Sequence, residues 1–493
     1  MPKENSCGVD VCLESPLENA PHCPHGPTLL FQRYIKQSAR EDATVQKFYA
    51  CSACRDRKDC SFFQQVGEKV SEAKLNARED MNRKSQPPNS HREYYTSFEK
   101  AKLTPASSRT FCQTCNVLLI PKDKPSHQDH KLLSPVTDAD LQKPSHLLKP
   151  LDNKKTNAQY LFSDETVSFM LSTFRRLGFT HVLCVGSPRI FEAISSDESS
   201  LGMQALLLDI DHRYQQFFSP DHFCRYNMFN HHFFGGEESK KIYTKFLRNE
   251  KLVVVTDPPF GGLVEVIAFT VKKIMQEWKV EGKHEKNLPL MWIFPYFMEK
   301  KIEEFLPTLT MLDYKVDYSN HAVFHGGPMG RKQGSPVRIF TNIPPIDVIL
   351  PEDSYKLCAR CQRYVSKQNV HCDVCDACTS KDGGAYVHCF KCETCVKSSR
   401  VHCNKCNCCE LPDHSCGRTL EGCHICGEMD HKRRDCPNKN SVKVQKRHDE
   451  SQSVEDRPRK KKRTEKPETS KKNNAGNRAY KQRKLRKQRQ KKS

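Results

Sequence analysis

The distribution of cysteine constrains this chain more than any other feature. Of 26 cysteines in 493 residues, two lie at Cys7 and Cys12, four between 23 and 60, two at 112 and 115, thirteen between 358 and 416, and three between 423 and 436. Only Cys184 and Cys224 fall between 130 and 350. The flanks therefore read as small cysteine-dependent modules, and the middle as a domain that folds on its own apolar core. The start, MPKENSCGVDVCLES, is polar, and no apolar run approaches the roughly 18 residues of a membrane span. An intracellular chain with no membrane partner is expected. Thiols stay reduced in that compartment, so clustered cysteines read as zinc ligands rather than disulfides.

The spacing sorts the ligands into modules. Cys23 and His25 in HCPHG, with Cys51 and Cys60 in FYACSACRDRKDCSFFQ, make a Cys3His set over 21–66. Cys54 is a fifth donor able to replace one of them. The pattern C-x-H-G, F-Y-x-C, C-x-F-F resembles the GRF zinc finger, a nucleic-acid-binding module. Phe62 and Phe63 either stack bases or fill a tiny core, and for at least one of them the core is favoured. Residues 65–105 read as a charged connector with some helix. Cys112, Cys115, His127 and His130 follow, within 108–135, as C-x2-C-x11-H-x2-H, which resembles a C2H2 finger with a short histidine gap.

Between 355 and 417 a unit of the form H-C-x2-C-x2-C repeats in HCDVCDAC, HCFKCETC and HCNKCNCC. The candidate ligands are Cys358, Cys361, His371, Cys372, Cys375, Cys378, His388, Cys389, Cys392, Cys395, His402, Cys403, Cys406, Cys409, His414 and Cys416. Four ligands per ion predict three or four zincs with interleaved pairing, whose assignment stays open. The stretch has loose similarity to DHHC-type zinc domains but lacks the D-H-H-C tetrad and any membrane span. Within 420–438, Cys423, Cys426, His431 and Cys436 have the C-x2-C-x4-H-x4-C spacing of a zinc knuckle, a binder of single-stranded nucleic acid.

Charge adds the next constraint. The net charge is +21, and residues 441–493 carry 21 Lys and Arg against 6 Asp and Glu, a net of +15. A basic tail over 439–493, with RKKKR and KQRKLRKQRQKK, is expected to be disordered and to contact RNA phosphates. The same runs predict a nuclear and nucleolar location, with a cytoplasmic pool open. Residues 1–20 are read as a disordered N-terminus.

From 150 to 345 short apolar runs alternate with helical patterns. HVLCVG, ALLLDID, KLVVVTD, LPLMWIFP, HAVFH and VRIFTN read as strands, and 163–178 and 262–278 as helices. Continuous apolar strands separated by helices predict an α/β domain, a Rossmann-like sheet covered on both faces. In such sheets ligands bind beyond the carboxyl ends of the strands. KLVVVT delivers Asp257, Pro258, Pro259 and Phe260 to one such end. A strand cannot continue through two prolines, and diproline holds the carbonyls still.

The tetrad resembles the [D/N]-P-P-[F/Y/W] signature of class I S-adenosylmethionine-dependent amino-methyltransferases. The resemblance implies that Asp257 and the Pro258 carbonyl accept the two N–H groups of an exocyclic amine, while Phe260 stacks on the base. Gln159, Tyr160, Leu161 and Phe162 in QYLFSDET resemble the segment over the cofactor in the N6-adenine methyltransferase-like family. Gly186, Pro188 and Arg189 in VGSPRI take the place of the glycine-rich turn, with one glycine only. Asp209 is the candidate for the cofactor ribose, Asp211 the runner-up, and Asn227 and Met228 in RYNMF the candidates for its adenine.

The order of modules over nearly the whole chain resembles the zinc-finger CCHC-domain ribosomal-RNA N6-adenine methyltransferases. That resemblance implies N6-methylation of an adenosine in structured large-subunit rRNA, S-adenosylmethionine and several zinc ions as cofactors, and ribosome-biogenesis or RNA-helicase proteins as further partners. Two rivals remain at this point. Relatives sharing the SDET segment methylate a lysine on a translation elongation factor, and a non-catalytic RNA-binding protein would fit the degenerate glycine turn. The zinc modules argue against the first, the intact tetrad against the second.

Overall fold

The computed structural model describes residues 6–13, 19–35, 44–54, 56–151, 159–196, 201–321 and 335–416. The candidate knuckle ligands Cys423, Cys426, His431 and Cys436, and the basic tail, lie outside the described residues, as does all but the first residue of HAVFH.

An eight-stranded sheet forms the centre, in the order His232–Phe233, Phe223–Asn227, Gln204–Asp209, His181–Val185, Leu252–Thr256, Leu290–Pro295, Val337–Thr341, Thr310–Met311. The five strands from Phe223–Asn227 to Leu290–Pro295 are parallel. Val337–Thr341 runs antiparallel to both of its neighbours. The chain builds outward on one side of His181–Val185, then crosses to the other side with Leu252–Thr256. That pair is the switch point at which doubly wound sheets open a crevice.

Period-2 alternation divides the strands between two cores. Val182, Cys184, Ala205, Leu207, Val253, Val255, Met291 and Ile293 face one way. Leu183, Val185, Leu206, Leu208, Val254, Leu290, Trp292 and Phe294 face the other. Helix Asp164–Arg176 covers the first face with Val167, Met170 and Phe174, one stripe at helical spacing. The hydroxyl of Ser163 accepts the Thr166 N–H at 3.2 Å, and Asp164 and Glu165 occupy the first turn, so the helix starts where its sequence signals it. Helix Val264–Gly282 covers the second face and ends on Lys283 at φ 54°.

The flanking modules are not beads beside this core. The first finger contributes Leu29, Phe31, Phe48, Phe62 and the cysteines Cys23, Cys51 and Cys60 to the second core cluster. The connector holds two helices, Glu72–Lys84 and His91–Lys102, and the second buries Phe98 and Ala101 in the first cluster beside Phe111 and Leu118 of the second finger. The expectation of a central domain that packs by itself is corrected: parts of both sheet faces are closed by side chains from the zinc modules. The C-terminal zinc region is tied on through Asp313, whose carboxylate accepts from Arg363, Asn369 and the Ser366 N–H at 2.8–3.1 Å.

Candidate active site and metal centres

At the switch point, Asp257 follows the last residue of Leu252–Thr256, and its N–H donates to the Val185 carbonyl at 3.2 Å. Gly186 sits beside it at φ 67°. A Cβ on Gly186 would stand 2.7 Å from Met228 Cε and 3.2 Å from the Asp257 carbonyl oxygen. The turn therefore needs only this one glycine, both for its backbone angle and for the close approach of three strand ends. Downstream, Gly262 donates its N–H to the Pro259 carbonyl at 2.8 Å, and a Cβ there would meet Phe229 at 2.8 Å.

These strand ends open on a cavity of about 440 Å³, within the roughly 300–1,000 Å³ usual for ligand pockets. Of the residues singled out from sequence, its walls include Gln159, Tyr160, Asp209, Asp211, Asn227, Met228, Asp257, Pro258, Pro259 and Phe260. Leu161, Phe162, Gly186, Pro188 and Arg189 are not in the wall. Gly186 shapes the turn behind it. Phe162 is buried and stacks on Tyr318, with ring centroids 5.3 Å apart. Pro188 opens helix Pro188–Ser196, and Arg189 is spent on Asp164 at 2.5 Å and Ser145 at 3.3 Å. Arg189 is directed at Ser145, His146 and Asp164, and Pro188 is buried at the helix start.

The acids at one end of the cavity differ in their surroundings. Asp211 accepts Arg213 on both oxygens at 2.6–3.1 Å, and Gln159 Nε2 at 3.0 Å. Burial alone would raise its carboxyl, but the Arg213 guanidinium holds it below the ordinary range. Asp209 accepts the Asp211 N–H at 2.9 Å and has no such cation on it; burial, then the nearby Asp211 charge, push it up to about 7. Asp211 is thus committed to an internal ion pair, which leaves Asp209 as the carboxylate suited to a ligand's hydroxyls.

At the other end Asp257 lies among aromatic rings. Tyr160 stacks on Phe260 at 6.1 Å between centroids, Tyr318 stands edge-on to Phe260 at 6.2 Å, and Phe294 is edge-on to Phe260 at 5.9 Å. Burial raises the Asp257 carboxyl well above its ordinary value, while the Tyr318 hydroxyl, donating to Oδ1 at 3.1 Å, pulls it back. Tyr318 escaped sequence reasoning, since KVDYSN carries no signal and lies 61 residues downstream of Asp257. His25 and Cys54 were placed in a finger, yet they too line the cavity. The finger is clamped there by Asn227, which donates to the His25 carbonyl at 2.7 Å and Ser52 Oγ at 2.9 Å, and by Asn230, which donates to the Pro27 carbonyl at 2.7 Å.

A class I cofactor fits this donor set: a buried carboxylate for ribose hydroxyls at one end, a glycine turn at the centre, and an acid with fixed carbonyls at the other.

The cysteines and histidines converge as ligand sets. Cys23, His25, Cys51 and Cys60 form one group, and Cys112, Cys115, His127 and His130 a second, so the short histidine gap does not prevent closure. Cys54 also lies 3.6 Å from His25 Nε2. Phe62 and Phe63 are both packed, under Arg78 at 4.5 Å and Arg57 at 4.0 Å respectively. In the C-terminal region the groups are Cys358, Cys361, His371, Cys378; Cys372, Cys375, His388, Cys395; and Cys389, Cys392, His402, Cys409. Cys403, Cys406, His414 and Cys416 make a fourth, with contacts of 3.4–3.6 Å. Four centres thus use all sixteen candidates. The pairing interleaves because each His-Cys dipeptide lies on a strand, where neighbours point to opposite sides.

Zinc fits these sets. Tetrahedral bonds of about 2.3 Å to sulfur and 2.0 Å to nitrogen place sulfurs roughly 3.8 Å apart and sulfur and nitrogen roughly 3.5 Å apart. The observed values are 3.6–3.7 Å for Cys375–Cys395, Cys392–Cys409 and Cys403–Cys416, and 3.2–3.7 Å for Cys361–His371 and Cys358–His371. In five C-x2-C turns the next residue, Asn116, Gln362, Asp376, Glu393 or Asn407, has φ of 46–56°, one shared turn geometry.

Comparison with known proteins agrees with this geometry. Residues 153–327 match the model of a family described as probable N6-adenine methyltransferase. The chain is 53% identical over 445 residues to the rRNA N(6)-adenosine-methyltransferase ZCCHC4 of Homo sapiens, covering 88% of this chain and 86% of that protein. It is 54% identical to the protein of the same name in Mus musculus, covering 87% and 85%, and 49% identical to that of Xenopus tropicalis, covering 88% and 90%. With identity of about half over 87–88% of its length, the chain belongs to the rRNA N(6)-adenosine-methyltransferase family.

Proposed function

We propose that this chain transfers a methyl group from S-adenosylmethionine to N6 of an adenosine in large-subunit ribosomal RNA. The observation that carries the reading is the single cavity joining Asp209 at one strand end to Asp257, Pro258, Pro259 and Phe260 at another. S-adenosylmethionine, when bound, supplies an electrophilic methyl on a sulfonium. Asp209 accepts from ribose hydroxyls, and Asp211, locked by Arg213, keeps the neighbouring turn in place. The Asp257 carboxylate and the Pro258 carbonyl accept the two N–H groups of the target amine. That withdraws the nitrogen lone pair from the base and aims it along the cavity. Phe260 and Tyr160 hold the base by stacking and keep water out. The rate arises from positioning and preorganised charge, with no covalent step on the protein. A base in a helix must be turned out to reach this depth.

Zinc modules on both sides of the catalytic segment supply grips on RNA around one splayed nucleotide, so a folded element rather than a short motif selects the site. The basic runs after 441 support nucleolar residence, with a cytoplasmic pool, and contact with ribosome-biogenesis or helicase proteins. Three RNAs test the substrate: the natural rRNA hairpin, the same sequence with a scrambled stem, and an adenosine-containing oligomer. Nucleoside mass spectrometry is expected to find N6-methyladenosine in the first only. Equal methylation of all three, or a preference for a protein lysine, would overturn the reading.

A further inference from the structure

We infer that Tyr318 is a positioning residue for the transfer step: its hydroxyl pins one oxygen of Asp257 and leaves the other oxygen to accept from the target amine. This rests on the methyltransferase reading and deepens it. Four observations place Tyr318 in that role. Its hydroxyl donates to Asp257 Oδ1 at 3.1 Å. It is buried, and its ring is held from one side by Phe162 at 5.3 Å and 25° between planes. Tyr160 and Phe260 close the other sides at 5.8 and 6.2 Å. Its backbone pairs with Phe162, so the Leu161–Phe162 segment, although outside the cavity wall, has a purpose: it fixes the tyrosine. Asn320 reinforces that segment by accepting the Leu161 N–H at 2.7 Å and donating to the Gln159 carbonyl at 2.8 Å.

The chemistry needs such a group. A carboxylate in an apolar cage gains a proton readily, and a protonated Asp257 would be a poor acceptor for an N–H. Among the described residues no Lys or Arg side chain pairs with Asp257. The groups facing the site are Tyr160 and His321 beside it, Asp317 on the Tyr318 segment, and Asp209, Asp211, His212, Arg213, Arg225 and His25 across the cavity. Burial raises the Asp257 carboxyl, and among the described residues it is the Tyr318 hydrogen bond that lowers it. Removing the hydroxyl therefore moves protonation of Asp257 to higher pH.

The test is the pH dependence of single-turnover methylation of the rRNA hairpin by the full-length protein, wild type against Tyr318→Phe, which keeps the ring and its stacking. The acidic limb of the rate is expected to move to higher pH in Tyr318→Phe, with S-adenosylmethionine affinity by calorimetry within twofold of wild type. Asp257→Asn, which matches the other form of the signature, keeps an acceptor that does not titrate; its acidic limb is expected to vanish, with or without Tyr318. A limb that stays in place in Tyr318→Phe, or persists in Asp257→Asn, overturns the role of Tyr318 while leaving the enzyme reading intact. A rate lowered equally at every pH marks Tyr318 as structural only and also overturns it. A wild-type protein with no methylation at any pH sinks the methyltransferase reading and this inference together.

Discussion

The side chain of Asn227 donates to the backbone carbonyl of His25 at 2.7 Å, joining the end of a central strand to a ligand loop of the first finger. Both residues line the cofactor cavity. The finger is therefore part of the wall, and losing its metal is expected to disturb the cavity.

That link predicts the effect of losing the metal. Metal binding supplies much of the folding energy of a small zinc module. Cys51→Ser is expected to lower zinc content by one ion and to weaken S-adenosylmethionine binding by tenfold or more, roughly 1.4 kcal/mol. Asn227→Ala removes the donor from Ser52 Oγ and leaves the His25 carbonyl only the longer Asn230 bond of 3.4 Å, costs about 1–3 kcal/mol, and should weaken the cofactor with zinc content unchanged. Metal analysis and calorimetry on the same samples check both, and normal affinity in Cys51→Ser would show that the wall stands without its ion.

Asp257→Ala removes an acceptor aimed at the reacting amine. Loss of one such preorganised group typically costs about 10²–10³ in rate. Turnover should fall by at least that much while cofactor affinity changes little, because the cost falls on the transition state. Near-normal turnover would remove Asp257 from the reaction.

Asp209 titrates where cofactor binding can report it. Burial raises its carboxyl to about 7, and only the ionised form accepts from two hydroxyls. As pH falls through 7 the carboxyl gains a proton, so affinity for S-adenosylmethionine should weaken from pH 8 to pH 6. Asp209→Asn should bind weakly at both values with a flatter profile. A wild-type dissociation constant independent of pH over this range would take the ribose away from Asp209.

The net +15 of residues 441–493 should dominate non-specific RNA contact. Deleting them is expected to weaken RNA binding, to reduce the slope of log affinity against log salt, and to diminish nucleolar accumulation. A slope identical to that of the full chain would mean the tail leaves phosphates untouched.

What the sequence determined by itself is what short-range chemistry dictates. C-x2-C spacing brings two thiols within reach of one ion whatever surrounds them, which is why the candidate ligands were legible, while the interleaved pairing within 355–417 was left to the structure. Pro258 and Pro259 end a strand through their own geometry, so the position of Asp257 at a strand tip was legible too, as were the apolar strands among the described residues. The tertiary structure alone decided which distant groups meet there. Tyr318 reaches Asp257 because Val337–Thr341 folds back antiparallel and Phe162 props the ring, contacts set by sheet order rather than by any local pattern. Arg189 reads as a cofactor ligand in sequence and is an ion-pair partner of Asp164 in space. The first finger reads as a separate module, yet it seals one face of the sheet, because the apolar side chains around Leu183 and Leu206 have to be covered and the finger is too small to bury its own.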